Sequence, residues 1–339
     1  MNTSVATPET PRRRRSWLFR AGVVAGLLAA GAACVGLFVG YRIWREPLAF
    51  YETLTRRALA GHGLAQRELD VPWGRLVWWE GGNGPAIVLI HGAGHQAGVW
   101  AEVAGALVQD HRVLVVDLPG HGASDPRQGP ITADTLYGGV AALLDRLRDD
   151  SPVVVGNSLG AWLAMVYAQR NPGTLSRIVA VNGGALRSDL GGYSLLPRSR
   201  EEARHLVDGL RDPSSPRIPD YVLDDLVEHV GDGPVARMMG DLQGLEALVL
   251  DGRLGEITDP VDLLWGTSDK LMPVSYAERM LAELPRARLT TIPRCGHMPH
   301  TECPDRFVAA LREILAAEPP AADVPADAAD RTAGAREAS

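Results

Sequence analysis

Four short apolar runs constrain this chain more than any other feature: Ile87-Val88-Leu89-Ile90, Val113-Leu114-Val115-Val116, Val153-Val154-Val155 and Ile178-Val179-Ala180-Val181. None alternates with polar residues, so each predicts a strand buried on both faces, as strands of a parallel sheet are. Segments with helical spacing separate them: Val99 to Val108, Ala133 to Arg148 and Leu159 to Gln169. Strands alternating with helices predict crossover units, and hence an α/β fold with a doubly wound, mostly parallel sheet. Leu76-Val77-Trp78-Trp79 adds an earlier strand, and the sheet resumes at Val261 to Trp265 and Leu289 to Ile292. Residues 185–255 carry Pro197, Pro213, Pro216 and Pro219 without a strand pattern. They predict an inserted helical lid over the carboxyl ends of the strands, where open α/β sheets bind ligands.

The ends differ from the body. Ala21 to Tyr41 runs 21 residues without a charge, and at 1.5 Å per residue a helix of that length reaches about 31 Å, the thickness of a hydrocarbon core. The segment therefore predicts one transmembrane signal anchor over residues 17–43, after a basic tail at 1–16 and before a linker at 44–63. A cleaved signal peptide, or a lipoprotein signal ending at Ala30-Gly31-Ala32-Ala33 before Cys34, is the competing reading. Its apolar region is usually only about 7–15 residues long, whereas here Val35, Leu37, Phe38 and Val39 extend the run. Arg14-Arg15-Ser16-Trp17-Leu18 also faintly resembles a twin-arginine export signal. Five arginines precede the run, against Arg42 and Arg45 just after it, which predicts a cytoplasmic N-terminus and an extracytoplasmic body. Residues 317–339 are rich in Ala, Pro and Asp without an aromatic, the composition of a disordered tail. The globular unit is then 64–316.

Charge and cysteines narrow the function classes. The net charge is −7, yet residues 1–45 hold seven arginines against Glu9 alone, which leaves −13 on the rest. An acidic body argues against a nucleic-acid groove, which needs clustered Lys and Arg on the folded domain. Cys34, Cys295 and Cys303 are too few for a disulfide scaffold and lack zinc-site spacing. For Cys295 and Cys303 two buried free thiols are the favoured reading, because a spacing of eight says nothing about Cβ geometry, and a disulfide is the alternative if the body lies outside the cytoplasm.

Gly156-Asn157-Ser158-Leu159-Gly160 stands between a buried strand and a helix. Gly156 and Gly160 permit a sharp turn that pushes Ser158 into a strained backbone with its hydroxyl exposed, and the helix starting there points N–H groups toward developing negative charge.

With further motifs this resembles the α/β-hydrolase family over about residues 64–316. His91-Gly92-Ala93-Gly94 is similar to the family's oxyanion loop, and Asp117-Leu118-Pro119-Gly120-His121-Gly122-Ala123-Ser124 to the loop after its next strand. Trp265-Gly266-Thr267-Ser268-Asp269 resembles the acid turn, and Gly296-His297-Met298-Pro299, followed by Glu302 and Pro304, the histidine loop. The resemblance implies Ser158 as nucleophile, His297 as base and Asp269 as the carboxylate orienting it, in the family's chain order. It implies the backbone N–H groups of Leu159 and Ala93 as oxyanion donors. No metal or organic cofactor is implied.

Asp189 is the alternative acid, Asp117 and Asp125 support their loops, and His91 and His121 bond backbone in structural turns. His300 is a surface or helix-start histidine, Trp162 packs on the sheet, and Met238, Met239 and Leu242 either line an apolar pocket or simply pack. The expected function is a membrane-anchored serine esterase for a small lipophilic ester, bound to the bilayer through residues 21–41, with its oligomeric state open. The runner-up is a carbon–carbon bond hydrolase of the same fold, favoured by Asn157 before Ser158 and disfavoured by the absence of a Ser-Gly-rich stretch after His91-Gly92. Family members with an Asp nucleophile, dehalogenases and epoxide hydrolases, are disfavoured by Ser158; haloperoxidase-type members share the triad. A catalytically silent membrane-tethered binding protein is the non-enzyme alternative.

Overall fold

The apolar runs pair as their composition dictates. In the computed structural model, which describes residues 11–321, one sheet holds β1 (Ala65–Val71), β2 (Gly74–Gly81), β3 (Ala86–Ile90), β4 (Arg112–Asp117), β5 (Val153–Asn157), β6 (Arg177–Val181), β7 (Val261–Gly266) and β8 (Ala287–Ile292). Their order is β1-β2-β4-β3-β5-β6-β7-β8. β2 pairs antiparallel with both β1 and β4, and all other pairings are parallel. β1 went unforeseen because its sequence, Ala-Gln-Arg-Glu-Leu-Asp-Val, is largely exposed and charged, as suits an edge strand that must not recruit another chain.

Alternate residues of one strand enter opposite cores, as the period of two requires. Val88 and Ile90 of β3 join a cluster with α4 (Ala133–Asp145), α5 (Leu159–Arg170) and α10 (Val274–Glu283). Ile87 and Leu89 face Trp100, Phe307 and Leu311, with α3 (Ala101–Leu107) and α12 (Pro304–Ala316). A short α11 (Pro299–Glu302) precedes α12.

The N-terminal helix α1 (Pro11–Arg45) contains one segment, Phe19–Arg45, long and apolar enough to cross a membrane and not buried against the rest of the protein. A signal sequence has the same properties. Residues 47–61, expected as part of a linker, instead form α2 (Pro47–Gly61). Proline at its start is compatible with a first helical turn, Leu59 is fully buried, and Arg56 reaches Asp117 at 3.5 Å. Apolar and aromatic residues spaced along α2 held this information, but the neighbouring long run masked it. The expected N-terminal tail falls largely, and the C-terminal disorder mostly, on residues 1–10 and 322–339, outside the described residues.

Between β6 and β7 the chain inserts α6 (Arg200–Leu210), α7 (Asp220–Val230), α8 (Pro234–Met238) and α9 (Leu242–Glu246). Ser199 caps α6 by accepting from Glu202 N at 3.2 Å. Asp225 of α7, 5% exposed, accepts from Leu48 N at 2.9 Å and so joins the insertion to the start of α2.

Candidate active site

The chain reverses its direction of sheet growth at β3, with β4 on one side and β5 on the other, and the carboxyl ends beside such a switch form the crevice of an open α/β sheet. Ile90 pairs with Gly156 there, so the loops after β3 and β5 emerge side by side. A Cβ on Gly156 would lie 2.5 Å from Gly160 O, and one on Gly160 would lie 2.4 Å from Ile90 O. Only glycine allows the turn and helix to lie this close to the sheet. Ser158 takes φ 52°, ψ −115°, a costly conformation for a non-glycine residue that persists where the surroundings enforce it. Ser158 N donates to Val181 O at 3.0 Å, and the half-buried side chain does not cap α5.

His297 is 6% exposed and its Nδ1 lies 2.7 Å from Asp269 Oδ2. A carboxylate only accepts, so Nδ1 carries the proton and Nε2 of the neutral ring is left as an acceptor. Asp269, 3% exposed, accepts at Oδ1 from Leu271 N and Met272 N, both at 2.9 Å, and at Oδ2 also from Asn182 Nδ2 at 2.8 Å. Asn157 Nδ2 donates to His297 O at 2.9 Å and to Val181 O at 3.0 Å. The serine turn is thereby tied to the histidine loop. Leu159 opens α5, and a Cβ on Gly92, the residue before Ala93, would sit 3.1 Å from Ser158 Cβ.

The insertion closes on these loops. Val235 Cγ2 would lie 3.1 Å from a Cβ on Gly94, His297 N donates to Leu210 O at 2.8 Å, and Arg237 Nε donates to Gly129 O at 2.7 Å. Glu302 accepts from Gly296 N at 2.5 Å and from Asp212 N at 2.8 Å, bridging the histidine loop and the insertion.

Other expected residues fall as follows. Asp189 is exposed and accepts from Gly191 N, away from His297. Asp117 accepts from Ala97 N and Ala123 N, and Asp125 from Arg75 N, so both support loops. Trp162 is half-buried against the core and donates to Leu248 O at 2.8 Å. Met238 is buried in the core whereas Leu242 is 62% exposed, so neither defines a pocket by itself.

Two expectations are corrected. His300 does sit at a helix start, in α11, but it is 1% exposed rather than on the surface. Its ring stacks on Trp100 at 4.0 Å between centroids, and burial holds it neutral, well below the usual histidine range. Cys295 and Cys303 are a disulfide, with Cα atoms 6.3 Å apart, not two free thiols. A spacing of eight residues carries no information on Cβ directions, which the turn into α12 supplies. Asn157, Asn182, Glu302 and His95 were not assigned site roles from sequence. His95 lies in the loop after β3; burial first, and the proximity of the His297 imidazole second, push it down to about 4.

The sequence model described as "Alpha/beta hydrolase family" matches residues 87–310. A 2-hydroxy-6-oxononadienedioate/2-hydroxy-6-oxononatrienedioate hydrolase of Cupriavidus pinatubonensis is 31% identical over 241 residues, 64% of this chain and 82% of that protein. A pimeloyl-[acyl-carrier protein] methyl ester esterase of Nitrosomonas europaea is 30% identical over 246 residues, 67% of this chain and 94% of that protein. Among solved structures, a membrane phospholipase A described as a novel bacterial virulence factor superposes with a TM-score of 0.66 at 26% identity, over 87% of this chain and 98% of that one.

Proposed function

Starting from the fact that this chain belongs to the α/β-hydrolase family, we propose that it is a membrane-anchored serine hydrolase cleaving carboxylic esters through an acyl-serine intermediate. The observation that carries this reading is the 2.7 Å bond from His297 to the fully hydrogen-bonded Asp269, beside a strained Ser158. In the proposed reaction His297 Nε2 takes the Ser158 proton as Oγ attacks the ester carbonyl. The tetrahedral oxyanion accepts from Leu159 N and Ala93 N, each worth roughly 3 kcal/mol in the transition state. The imidazolium, stabilised by Asp269, then protonates the departing alkoxide. Water attacks the acyl-serine by the same route in reverse roles.

The anchor supports a lipophilic substrate, since an enzyme held at a bilayer meets such esters at high local concentration. The Phe19–Arg45 helix and the arginine bias support a single-pass topology with the domain outside the cytoplasm. The Cys295–Cys303 bond agrees with that side, where disulfides persist. The membrane phospholipase A and the methyl ester esterase among its relatives are consistent with ester chemistry. A second reading, carbon–carbon bond hydrolysis of a vinylogous diketone, is favoured by the Cupriavidus relative.

The test is a series of nitrophenyl esters from acetate to laurate, run beside a vinylogous diketone, with Ser158→Ala as control. Esters should turn over and Ser158→Ala should abolish turnover. Each buried methylene contributes at most about 0.8 kcal/mol, so kcat/KM should climb over the first few carbons and then level off. Cleavage of the diketone alone would replace the esterase by the carbon–carbon hydrolase.

A further inference from the structure

Ala93 stands between two peptide groups, and each is held by a different buried histidine. The Gly92 carbonyl accepts from His91 Nδ1 at 2.7 Å. A peptide is planar, so fixing that oxygen also fixes the Ala93 N–H on the opposite side of the same plane. On the other side of Ala93, Gly94 N donates to His121 Nε2 at 3.1 Å. His121 comes from the loop after β4, 27 residues further along the chain, and its Nδ1 lies 3.0 Å from Pro119 O. A carbonyl only accepts and an amide N–H only donates, so the protein selects one neutral tautomer of His121, with the proton on Nδ1 and a bare Nε2. His91 is locked in the same tautomer, since its Nε2 accepts from Leu118 N at 3.0 Å. The two rings are fully buried and pack at 5.2 Å between centroids.

We infer that His121 is a positioning residue for ester hydrolysis: by accepting from Gly94 N it holds the loop that aims the Ala93 N–H at the oxyanion. The inference rests on the serine-hydrolase reading above. The ring never touches substrate, and it acts by removing the rotation of the Ala93–Gly94 peptide. Gly94 has φ +76°, and a Cβ built on it would meet only Val235 of the insertion; His95 N closes the turn by donating to Gly92 O at 3.3 Å, and the bond from Gly94 N to His121 Nε2 is the one that holds the Ala93–Gly94 peptide itself. Burial pushes His121 down to about 3, so the acceptor persists across the working pH range.

The test uses the full-length protein in detergent with nitrophenyl butyrate, comparing His121→Asn, His121→Phe and His121→Gln. Asn places its amide near Nδ1 and cannot reach Gly94, Phe fills the space without an acceptor, and Gln Oε1 can stand where Nε2 stands. Asn and Phe should lower kcat by about ten- to a hundredfold, part of what a lost oxyanion donor costs, with KM within about threefold. Gln should restore kcat to within about threefold of the parent. An alkyl boronic acid, whose adduct on Ser158 is a tetrahedral anion, should lose affinity in step with kcat in Asn and Phe and regain it in Gln. Equal kcat in Asn and Gln, or a loss confined to KM with boronate affinity intact, overturns the proposal. Should one losing variant fail to fold, the other carries the comparison. Undiminished turnover by Ser158→Ala overturns the serine-hydrolase reading and this inference with it, whereas a dead Ser158→Ala beside an unaffected His121→Phe overturns this inference alone.

Discussion

Four donors converge on Asp269: two backbone N–H groups, Asn182 and His297. Replacing the carboxylate by an amide keeps the shape and presents the wrong partner to Nδ1, so Asp269→Asn should fold normally and lower kcat by about 10⁴. Asp189→Asn, on an exposed loop, should leave kcat within a factor of two of the parent at about the same KM. Asn182 was not legible as a site residue, because its partner is 87 residues away and nothing in the local pattern marks it. Its side chain also accepts from Gly266 N at 2.8 Å and its own φ is 44°. Asn182→Ala should therefore reduce kcat by about ten- to a hundredfold, the cost of about 1–3 kcal/mol for one lost buried bond to a charged group. Steady-state kinetics of the three variants checks the ranking, and an Asp189→Asn defect as large as that of Asp269→Asn would reassign the acid.

At the scale of elements, the histidine loop is held from two sides. The Cys295–Cys303 bond closes it onto the start of α12, and Glu302 ties Gly296 to the insertion. Opening a loop of this size costs about 2.5 kcal/mol in the chain-entropy account, which moves the melting temperature of a domain of this length by several degrees. Cys303→Ser, or mild reduction of the parent, should lower Tm by that amount in calorimetry. An unchanged Tm in both would show that the bond contributes nothing. The helix α2 is a second such element. A protein beginning at Leu64 loses buried Leu59 and the Arg56–Asp117 contact, so it should melt well below one beginning at Glu46, in side-by-side thermal scans.

For the whole molecule, the buried histidines set the response to acid. Burial pushes His91 and His121 down to about 3, against about 6.5 in an unfolded chain. Between those values the unfolded chain binds protons that the native state refuses. Their contribution is thus complete above about pH 6.5 and is lost as pH falls toward 3. Tm should therefore drop steadily from pH 6.5 to about 5, above the range where most carboxylates titrate, and a flat profile there would contradict the buried neutral assignment. The topology has its own test. Full-length protein should resist carbonate extraction, and external protease should reach the domain; a mature N-terminus at Cys34 would instead indicate cleavage or lipidation.

The parts that local chemistry dictates were readable from the residues in order. Unbroken apolar runs can satisfy their backbone and bury both faces only in a covered parallel sheet, so the α/β class followed from composition and period. Gly156-Asn157-Ser158-Leu159-Gly160 reads as a sharp turn from its place between a buried strand and a helix, and the close approach of Gly156 to Gly160 lies within those five residues, whereas that of Gly160 to Ile90 is tertiary. Resemblance to a family then supplied the candidate roles of Asp269 and His297, and the fold brings those two side chains together. Tertiary structure alone decided what depends on the directions of side chains distant in sequence. The pairing of Cys295 with Cys303, the clasp of Asn157 on His297 O, the support of Asp269 by Asn182 and the Gly94–His121 contact are of this kind. Each joins groups whose types are common and whose spacing is uninformative, and only the packing of β4, β3, β5, β6, β7 and β8 side by side brings their loops to one end of the sheet.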